Sequence, residues 1–219
     1  MEKQNKNMRK YIDYFNPDVV VLSDAHQDLC FRAGKGYENF DEFIKEEALE
    51  YTENGDGVTY LVFNIRVDDD GKEISRELVS YYTLSATSIP YIDRIRLDED
   101  EARETGQEFN EEICGIPALE IKMFAVDENY QDVFFQYDGE ELPISAWIIR
   151  YIIDTAQILM NTVMGFKALF LHAISDAEEF YSQNGFYPMK INMQPLHCID
   201  SEYTAMYLAL KEIHMNYDD

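Results

Sequence analysis

A short apolar stretch followed by a long amphipathic one dominates the middle of this sequence, across residues 117–165. Residues 118–126 are mostly apolar and predict a strand, whereas residues 127–141 are polar and contain one glycine. Pro143 then opens a helical pattern that runs to Gly165. Strand, loop and helix in this order place the N–H groups of a helix terminus beside the end of a strand, which suits an anion. The sequence therefore predicts an anion-binding site near the start of this helix.

The net charge of the chain constrains its partners. The 219 residues carry a formal net charge of −25, and the 18 Lys and Arg are scattered. Because such a chain repels phosphate backbones, we expect no nucleic-acid partner and favour cationic ones, such as small amines or basic peptides. A solvated acidic surface without a specific partner is the alternative explanation of this charge. With 46% hydrophobic residues the chain can bury a substantial core.

The cysteines and the apolar runs indicate a soluble, cytoplasmic protein. Cys30, Cys114 and Cys198 are odd in number, far apart and outside any CxxC motif, which fits a reducing compartment. The first ten residues are polar and charged, so they do not resemble a secretory signal. No apolar run approaches the roughly 18–20 residues of a membrane span, so we expect no membrane partner.

The first half of the chain alternates between strand and helix patterns. After a polar lead-in, residues 1–17, it predicts a strand at 19–22, a helix at 39–51, and a hairpin of 58–67 and 78–84 around the turn 68–71. Residues 98–112 are charged and poor in apolar side chains, so they predict a mobile loop or a frayed short helix.

The last third of the chain predicts a buried strand, a short helix and two closing strands. Residues 167–173 are almost continuously apolar, as in strands buried on both faces. Ser175 and Glu178 match a capping box for the next helix. The closing strands are residues 187–193 and 205–213, separated by a loop around Pro195, Leu196 and His197. Together the elements predict one α/β domain over residues 1–219, with mixed strand directions, helices on both faces, and sheet edges that could pair in a homodimer.

No residue pattern in the sequence points to a metal or to a covalent nucleophile. His26, His197 and His214 lack the spacing of zinc ligands. The turn 68–71 approaches an EF-hand loop, but Arg66 stands where the first carboxylate should bind calcium. Serine and cysteine nucleophile motifs are absent. We therefore expect no metal.

Three local strings, taken with the order of the elements, resemble the GNAT superfamily of N-acetyltransferases over roughly residues 19–213. AVDENYQ (residues 125–131) resembles the end of the family's fourth strand and the start of its cofactor loop. KALFLHA (residues 167–173) resembles its fifth strand. AEEFYSQNGF (residues 177–186) resembles the segment A-x-x-F-Y-x-x-x-G-F, the most specific of the three. Upstream, FDEFIK and SYYTLS, which begin at Phe40 and Ser80, resemble the branch that contains the acetyltransferase toxins of toxin–antitoxin pairs.

The resemblance implies a fold and an activity. The fold is a single domain with a mixed, mostly antiparallel sheet of about seven strands that splays between the family's strands 4 and 5. The activity is transfer of an acetyl group from acetyl-CoA to a primary amine, and the acidic surface favours a small cationic amine or a basic peptide. The pantetheine arm would lie against the main chain of Phe124, Ala125 and Val126. The diphosphate would bind a loop of pattern Q/R-x-x-G-x-G/A that starts at Gln131.

The chain departs from that family pattern after Gln131. Residues 132–141 lack the glycine pair and carry two phenylalanines and four carboxylates, which hinder and repel a diphosphate. The N–H groups of Ile144, Ser145 and Ala146 at the helix start could bind it instead. The alternative is a GNAT-fold protein that has lost catalysis and serves as a binding or interaction module.

Two side chains are the candidates for chemistry that the resemblance implies. Tyr181 matches the family tyrosine that donates a proton to the CoA thiolate, and a partly buried core aromatic is its structural alternative. Glu120 matches the position of a catalytic glutamate and would act as the base, unless it only pairs with Lys122 or with a cation of a neighbouring strand. His172 is a weaker candidate for a base, because a hydrogen-bonded core histidine is the commoner case.

Overall fold

The computed structural model describes residues 9–26, 28–190, 193 and 203–215. The helices are α1 (Glu38–Glu42), α2 (Ala48–Glu53), α3 (Glu99–Thr105), α4 (Ile144–Thr162) and α5 (Glu178–Gln183), with a π-helical turn, Phe43–Glu47, joining α1 to α2. The strands are β1 (Lys10–Tyr11), β2 (Pro17–Val21), β3 (Val58–Val67), β4 (Glu73–Arg96), β5 (Phe109–Val126), β6 (Val133–Tyr137), β7 (Glu140–Pro143), β8 (Ala168–Ile174), β9 (Tyr187–Pro188) and β10 (Tyr203–Ala209).

Seven of these strands form one mixed sheet in the order β2-β3-β4-β5-β8-β10-β9, and β1, β6 and β7 form a second, three-stranded sheet. β8 runs parallel to β5, whereas β3 is antiparallel to both β2 and β4, and β10 to both β8 and β9. The predicted fold class, a mostly antiparallel sheet of about seven strands with helices, is confirmed. The small second sheet was not predicted.

The chain divides into two compact units, and the first comprises Met1–Leu84 and Lys122–Ile152. Its hydrophobic core is one cluster of buried side chains, in which the helical segment from α1 to α2 packs against one face of β3 and β4. The buried members of this cluster are Leu22, Phe31, Ala33, Phe43, Ile44, Ala48, Leu61, Phe63, Leu78, Tyr81 and Ala125. The alternation of strand side chains explains the set, since Leu61 and Phe63 lie two residues apart on one face. The helix and hairpin predicted for this part are confirmed, although the helix contains a π-turn.

The N-terminal half of α4 is also buried in the first unit. Ile144, Ile148, Ile149 and Ile152 have no exposed surface, in agreement with the amphipathic pattern. The C-terminal end differs from the prediction, since Ile158 is 61% exposed and Val163, which directly follows the helix, is 72% exposed. The predicted apolar face therefore ends about half-way along the helix.

The second unit comprises Ser85–Ile121 and Ile153–Asp219. Its buried cluster joins the middle of β4 and β5 to β8, with Ile89, Ile116, Ala118, Ala168, Phe170 and Met193 at its centre. The predicted buried strand is confirmed as β8, whose residues Ala168–Leu171 are all buried. The predicted closing strands are shorter than expected, at two and seven residues, and the predicted loop around Pro195 lies outside the described residues.

The acidic segment 98–112 contains a short helix, α3, and the first residues of β5. Asp98 caps α3 through the N–H groups of Asp100 and Glu101, while the Glu101 side chain completes the capping box. Gly106 ends the helix with φ 70°. Of the two predicted alternatives, a mobile loop or a frayed short helix, the structure agrees with a short helix, whose caps offset its low apolar content.

Two further local predictions need correction. Ser175 does not cap α5, and the Glu178 carboxylate accepts a hydrogen bond from the Thr204 hydroxyl instead of closing a capping box. Within the segment predicted as a polar lead-in, Lys10–Tyr11 forms a short strand, β1, which was not predicted. Among the described residues, no helix is long and apolar enough to cross a membrane.

Candidate functional site

The parallel ladder between β5 and β8 is short and lies within the second unit. It runs over four residue pairs, from Ala118 opposite Ala168 to Ile121 opposite Leu171. β5 itself continues five residues further, to Val126. Glu120 therefore lies one residue before the end of the ladder, on a strand whose neighbouring positions are buried.

Glu120 and His172 are brought together by this ladder. The Oε1 atom of Glu120 lies 3.7 Å from Nδ1 of His172, and the two side chains are 14% and 30% exposed. The His172 ring also packs edge-on against Phe170, with ring centroids 4.8 Å apart. A carboxylate beside an imidazole at a partly buried position can take up and hold a proton, which is the requirement for a general base. Both residues were candidates from the sequence, and a pair with a cation of a neighbouring strand was the structural alternative for Glu120; His172 lies on such a strand.

Tyr181 lies on α5 in an aromatic cluster. Its ring centroid is 5.2 Å from that of Phe180 and 5.7 Å from that of Phe186, and only 7% of the residue is exposed. Burial raises the pKa of the Tyr181 hydroxyl well above its usual value, so it stays protonated at neutral pH. This environment is compatible with both interpretations of Tyr181 from the sequence, as a core aromatic and as a proton donor.

The main chain predicted to contact a cofactor lies in the first unit and is partly engaged. The Ala125 carbonyl accepts a hydrogen bond from the Ser80 hydroxyl at 2.6 Å. The Val126 carbonyl accepts one from the Gln131 amide at 2.9 Å, and that amide also donates to Ala33 O at 2.8 Å. Gln131 thus holds the end of β5 to the segment before α1.

Asp127 is a residue of this region that the sequence analysis missed. It is only 6% exposed, and its carboxylate accepts hydrogen bonds from the backbone N–H of Arg32 and from both the backbone and the side chain of Asn129. The Asp-x-Asn spacing, typical of an Asx-turn, was the available signal. Asp127 fixes the turn that leaves β5 and leads to Gln131.

Residues 132–141, predicted as a reshaped loop, form most of a β-hairpin. β6 and β7 pair antiparallel, with Phe134 opposite Pro143 and Tyr137 opposite Glu140. Asp138 and Gly139 close the hairpin with φ values of 50° and 85°, as in two-residue turns of the I′ type. β7 leads directly into α4, so Ile144, Ser145 and Ala146 form the first helical turn. Their N–H groups have no partner within the helix, which is the property that suits an anion.

A cavity of about 760 Å³ lies elsewhere in the first unit, near the turn after β5. Its lining includes Arg32, Arg66 and Arg76, and two of these three arginines form ion pairs with nearby carboxylates. Arg76 is held by Asp18 at 2.7 Å and Glu73 at 2.8 Å, and Arg32 faces Glu128 at 3.8 Å. None of the residues predicted to be catalytic or cofactor-binding lines this cavity. Within the described part of the chain, no group of three or more His, Cys, Asp or Glu is arranged to hold a metal ion.

Solved structures with a similar fold cover most of the chain. The chain matches AtaTR bound with AcCoA with a TM-score of 0.57 and 19% identity, over 88% of this chain and 93% of that chain. It matches AtaT complexed with acetyl-methionyl-tRNAfMet with a TM-score of 0.54 and 18% identity, over 89% and 95%. It matches the KacTA–DNA complex with a TM-score of 0.53 and 19% identity, over 89% and 93%.

These matches confirm the predicted GNAT resemblance at the level of the fold, shared with the toxins KacT and AtaT. Identities below 20% establish no more than the fold. No protein-family model matches the sequence, and no curated protein sequence matches it significantly.

One prediction from the sequence is contradicted by these comparisons. The charge of −25 led us to expect an amine substrate without nucleic acid, yet AtaT is complexed with an acetylated aminoacyl-tRNA and KacTA with DNA. The reasoning was wrong because a net charge says nothing about where charges lie, and contacts to nucleic acid depend on local charge.

Proposed function

We propose that this protein transfers the acetyl group of acetyl-CoA to the α-amine of an aminoacyl group carried by tRNA. The observation that carries the proposal is the Glu120–His172 pair, 3.7 Å apart at the end of the β5–β8 ladder, in a chain with the fold of KacT and AtaT. Acetyl-CoA supplies an activated acetyl thioester. The remaining requirements are a base for the amine and a hydrogen-bond donor for the departing sulfur.

The chemistry of an α-amine suits the base that this chain offers. An α-amine has a pKa of about 8, so roughly a tenth of it is neutral at pH 7. A lysine amine has a pKa of about 10.4, so far less than a hundredth is neutral. A weak base, such as a carboxylate beside an imidazole, can therefore accept a proton from an α-amine more readily than from a lysine amine. This comparison supports an aminoacyl acceptor over a polyamine or a lysine side chain.

Each candidate residue has a defined role in the proposed transfer. The amine nitrogen forms a bond to the acetyl carbonyl carbon, and Glu120, with His172 beside it, accepts the proton that the nitrogen loses. The carbon–sulfur bond breaks, and Tyr181 donates a hydrogen bond to the sulfur as negative charge develops on it. Because the Tyr181 hydroxyl has a raised pKa, it stabilises the thiolate without giving up its proton completely.

The first unit, taken by itself, carries main-chain groups of the kind that bind a pantetheine arm and a phosphate. The Ala125 and Val126 carbonyls accept hydrogen bonds from the Ser80 and Gln131 side chains, and the N–H groups in the first turn of α4 have no partner within the helix. We assign the pantetheine amides to the former, including Phe124, and a phosphate to Ile144, Ser145 and Ala146.

The proposal is tested by measuring acetylation of charged tRNA with two matched variants. Glu120→Gln should lower the turnover rate by about 100-fold or more, because general-base catalysis contributes that much, while acetyl-CoA affinity stays unchanged. Glu212→Gln is the control, since Glu212 also faces a histidine, His214, at 3.6 Å, but both side chains are about 80% exposed. Equal rates for Glu120→Gln and the unmodified protein would remove the base from the mechanism.

The alternative of a binding protein without catalysis predicts a different result. In that case the unmodified protein would leave charged tRNA unacetylated over hours at saturating acetyl-CoA. The lost glycine pair in residues 132–141 favours this alternative, because glycines normally let backbone N–H groups approach a phosphate.

A further inference from the structure

A second groove, of about 680 Å³, lies in the first unit beside the hairpin of β3 and β4. Its lining combines residues 11–14 of the N-terminal arm with Arg66, Val67 and Ile74 of the hairpin, and with Tyr130. We refer to the site formed by these residues as the arm groove. None of the residues assigned above to catalysis or to cofactor binding is among its described lining residues.

The arm groove gathers large apolar side chains that the fold leaves exposed. Tyr11 and Tyr14 are 49% and 51% exposed, and Val67 and Ile74 are 40% and 63% exposed. Exposed apolar side chains that meet at one concave site are typical of a binding surface, whereas single ones are common anywhere. The volume also lies within the range of about 300–1,000 Å³ that is usual for ligand sites.

Two unpaired charges of opposite sign accompany this apolar surface. Among the described residues that line the arm groove, Arg66 is the only cation and Asp13 the only carboxylate. Neither side chain forms an ion pair with a described residue, so the two do not neutralise each other. A guanidinium binds a carboxylate through two N–H groups, and a carboxylate binds an ammonium group. The arm groove therefore fits a ligand that carries one charge of each sign.

Backbone contacts fix the position of the arm side of the groove. Ile12 donates a backbone hydrogen bond to β6 at 3.0 Å, and the Asn16 N–H donates to the buried Asn64 side chain at 2.9 Å. Asp13 and Tyr14 lie between these two attachment points. A ligand that binds them meets a segment that is already positioned, which lowers the entropy cost of binding.

The hairpin side keeps Arg66 available to a ligand. The carboxylate of Glu77, on the neighbouring strand, accepts a hydrogen bond from the Tyr130 hydroxyl. Burial raises the pKa of this hydroxyl to about 12, a rise that the charge of Arg66 partly offsets, so Tyr130 stays protonated and keeps its bond to Glu77. Arg66 thus lies near Tyr130 but has no carboxylate partner among the described residues.

We propose that the arm groove binds a zwitterionic short peptide, with free amino and carboxyl termini and with apolar or aromatic side chains. The peptide carboxylate binds Arg66, its ammonium group binds Asp13, and its side chains pack against Tyr11, Tyr14 and Ile74. The chain has a net charge of −25, which repels anions at long range but not a ligand whose own charges cancel. A ligand with several phosphates would also find a single cation here. The inference goes beyond the proposed function and does not depend on it.

The inference is tested by calorimetric titration of the full chain with the dipeptide phenylalanyl-leucine and with two derivatives that each lack one charge. The N-acetyl derivative lacks the ammonium group, and the C-terminal amide lacks the carboxylate. Both should bind about tenfold or more weakly than the free dipeptide, since hydrogen bonds to charged groups contribute about that much.

Two variants assign the charges to residues. Arg66→Gln should weaken the dipeptide about tenfold and leave affinity for the amide unchanged, because that derivative has no carboxylate to lose. Asp13→Asn should weaken the dipeptide similarly and leave affinity for the N-acetyl derivative unchanged. Arg66→Lys should recover part of the loss, because it restores the charge without the fork of donors. The controls Arg103→Gln and Asp69→Asn, at exposed residues outside the groove, should change no affinity.

Three results would overturn the inference. The dipeptide could show no binding up to about 10 mM, which would exclude this ligand class. The dipeptide and both derivatives could bind equally, which would leave a purely apolar groove. Arg66→Gln could weaken the dipeptide and the amide by the same factor, which would give Arg66 a structural role only. Acetylation of charged tRNA enters none of these measurements, so failure of the proposed function is recognised separately.

Discussion

Two adjacent tyrosines on β4 provide a direct test of the hydrogen bonding in the first unit. Tyr81 and Tyr82 both have no exposed surface, but they face opposite sides of the sheet. The Tyr81 hydroxyl donates a hydrogen bond to the Phe40 carbonyl at 2.8 Å. The Tyr82 hydroxyl is buried without a hydrogen-bond partner among the described residues, and its ring stacks on Tyr60 with centroids 5.0 Å apart. Replacing each tyrosine by phenylalanine keeps the ring and removes only the hydroxyl.

The structure gives opposite signs for the two substitutions. An unpaired buried hydroxyl costs about 1–3 kcal/mol of desolvation, so Tyr82→Phe should raise the free energy of unfolding by about 1–2 kcal/mol. Tyr81→Phe should lower it by about 1 kcal/mol, the net worth of one hydrogen bond. The loss for Tyr81→Phe should be no more than about 1 kcal/mol, because the Phe40 carbonyl also accepts a hydrogen bond from the Phe43 N–H and is not left unpaired. The two variants should therefore differ by about 2–3 kcal/mol.

Denaturant unfolding followed by circular dichroism measures the difference directly. For a chain of this length about 2–4 °C of melting temperature corresponds to 1 kcal/mol, so thermal scans should separate the variants by roughly 4–12 °C. If Tyr82→Phe destabilises the protein as much as Tyr81→Phe, the Tyr82 hydroxyl has a partner in solution. The argument from its burial would then be refuted.

Two further predictions concern pH and catalysis. Burial raises the pKa of the Tyr81, Tyr82 and Tyr181 hydroxyls above the value of about 10 that they have when unfolded, so their contribution to stability is complete below pH 10 and is lost as the pH rises further. Denaturant unfolding between pH 9 and 11.5 should show stability falling with a slope that rises to at most about 1.4 kcal/mol per pH unit for each group above pH 10, and a flat profile would contradict it. Tyr181→Phe should reduce turnover about tenfold with acetyl-CoA affinity preserved, whereas Tyr187→Phe, at a 65% exposed tyrosine, should leave both unchanged; equal turnover in the two would exclude Tyr181 from the reaction.

The elements that the sequence predicts well are those whose side chains repeat with a clear period. The first half of α4 could be predicted from the sequence because isoleucines recur there at helical spacing. Those at positions 144, 148, 149 and 152 are fully buried. β8 was readable because seven nearly continuous apolar residues with flanking polar ones are typical of a strand buried on both faces. In both elements the conformation is determined mainly by which side chains become buried. The spacing of apolar residues in the sequence indicates those side chains directly.

The hairpin of β6 and β7 shows a different kind of failure. Its turn, Asp138-Gly139, follows the β-prone string VFFQY of residues 133–137, which is a strong local signal for a two-residue hairpin. Comparison with a glycine-rich loop obscured that signal. The pairing of β1 with β6 could not be predicted at all, because a two-residue strand has no period and its partner lies more than 120 residues away.

The candidate site was predictable in its residues but not in its geometry. Glu120 and Tyr181 were named from motif positions, and His172 was named as the end of a strand. Their environments depend on register, since a shift of one residue in the β5–β8 ladder would turn Glu120 away from His172. Register is set by the packing of both strands at once, and a single sequence does not contain it in readable form.

The charge of the chain can be reconciled with a nucleic-acid acceptor by considering distance. Residues 98–112 alone hold eight Asp and Glu against Arg103, so a large share of the net charge is concentrated in α3 and the strand ends beside it. At physiological ionic strength the Debye length is about 8 Å, so carboxylates further away than this barely affect a phosphate that is already bound. They do reduce the long-range attraction that speeds association. If the proposed acceptor is correct, a charged tRNA is expected to associate slowly with so acidic a chain and to depend mainly on its aminoacyl end for affinity.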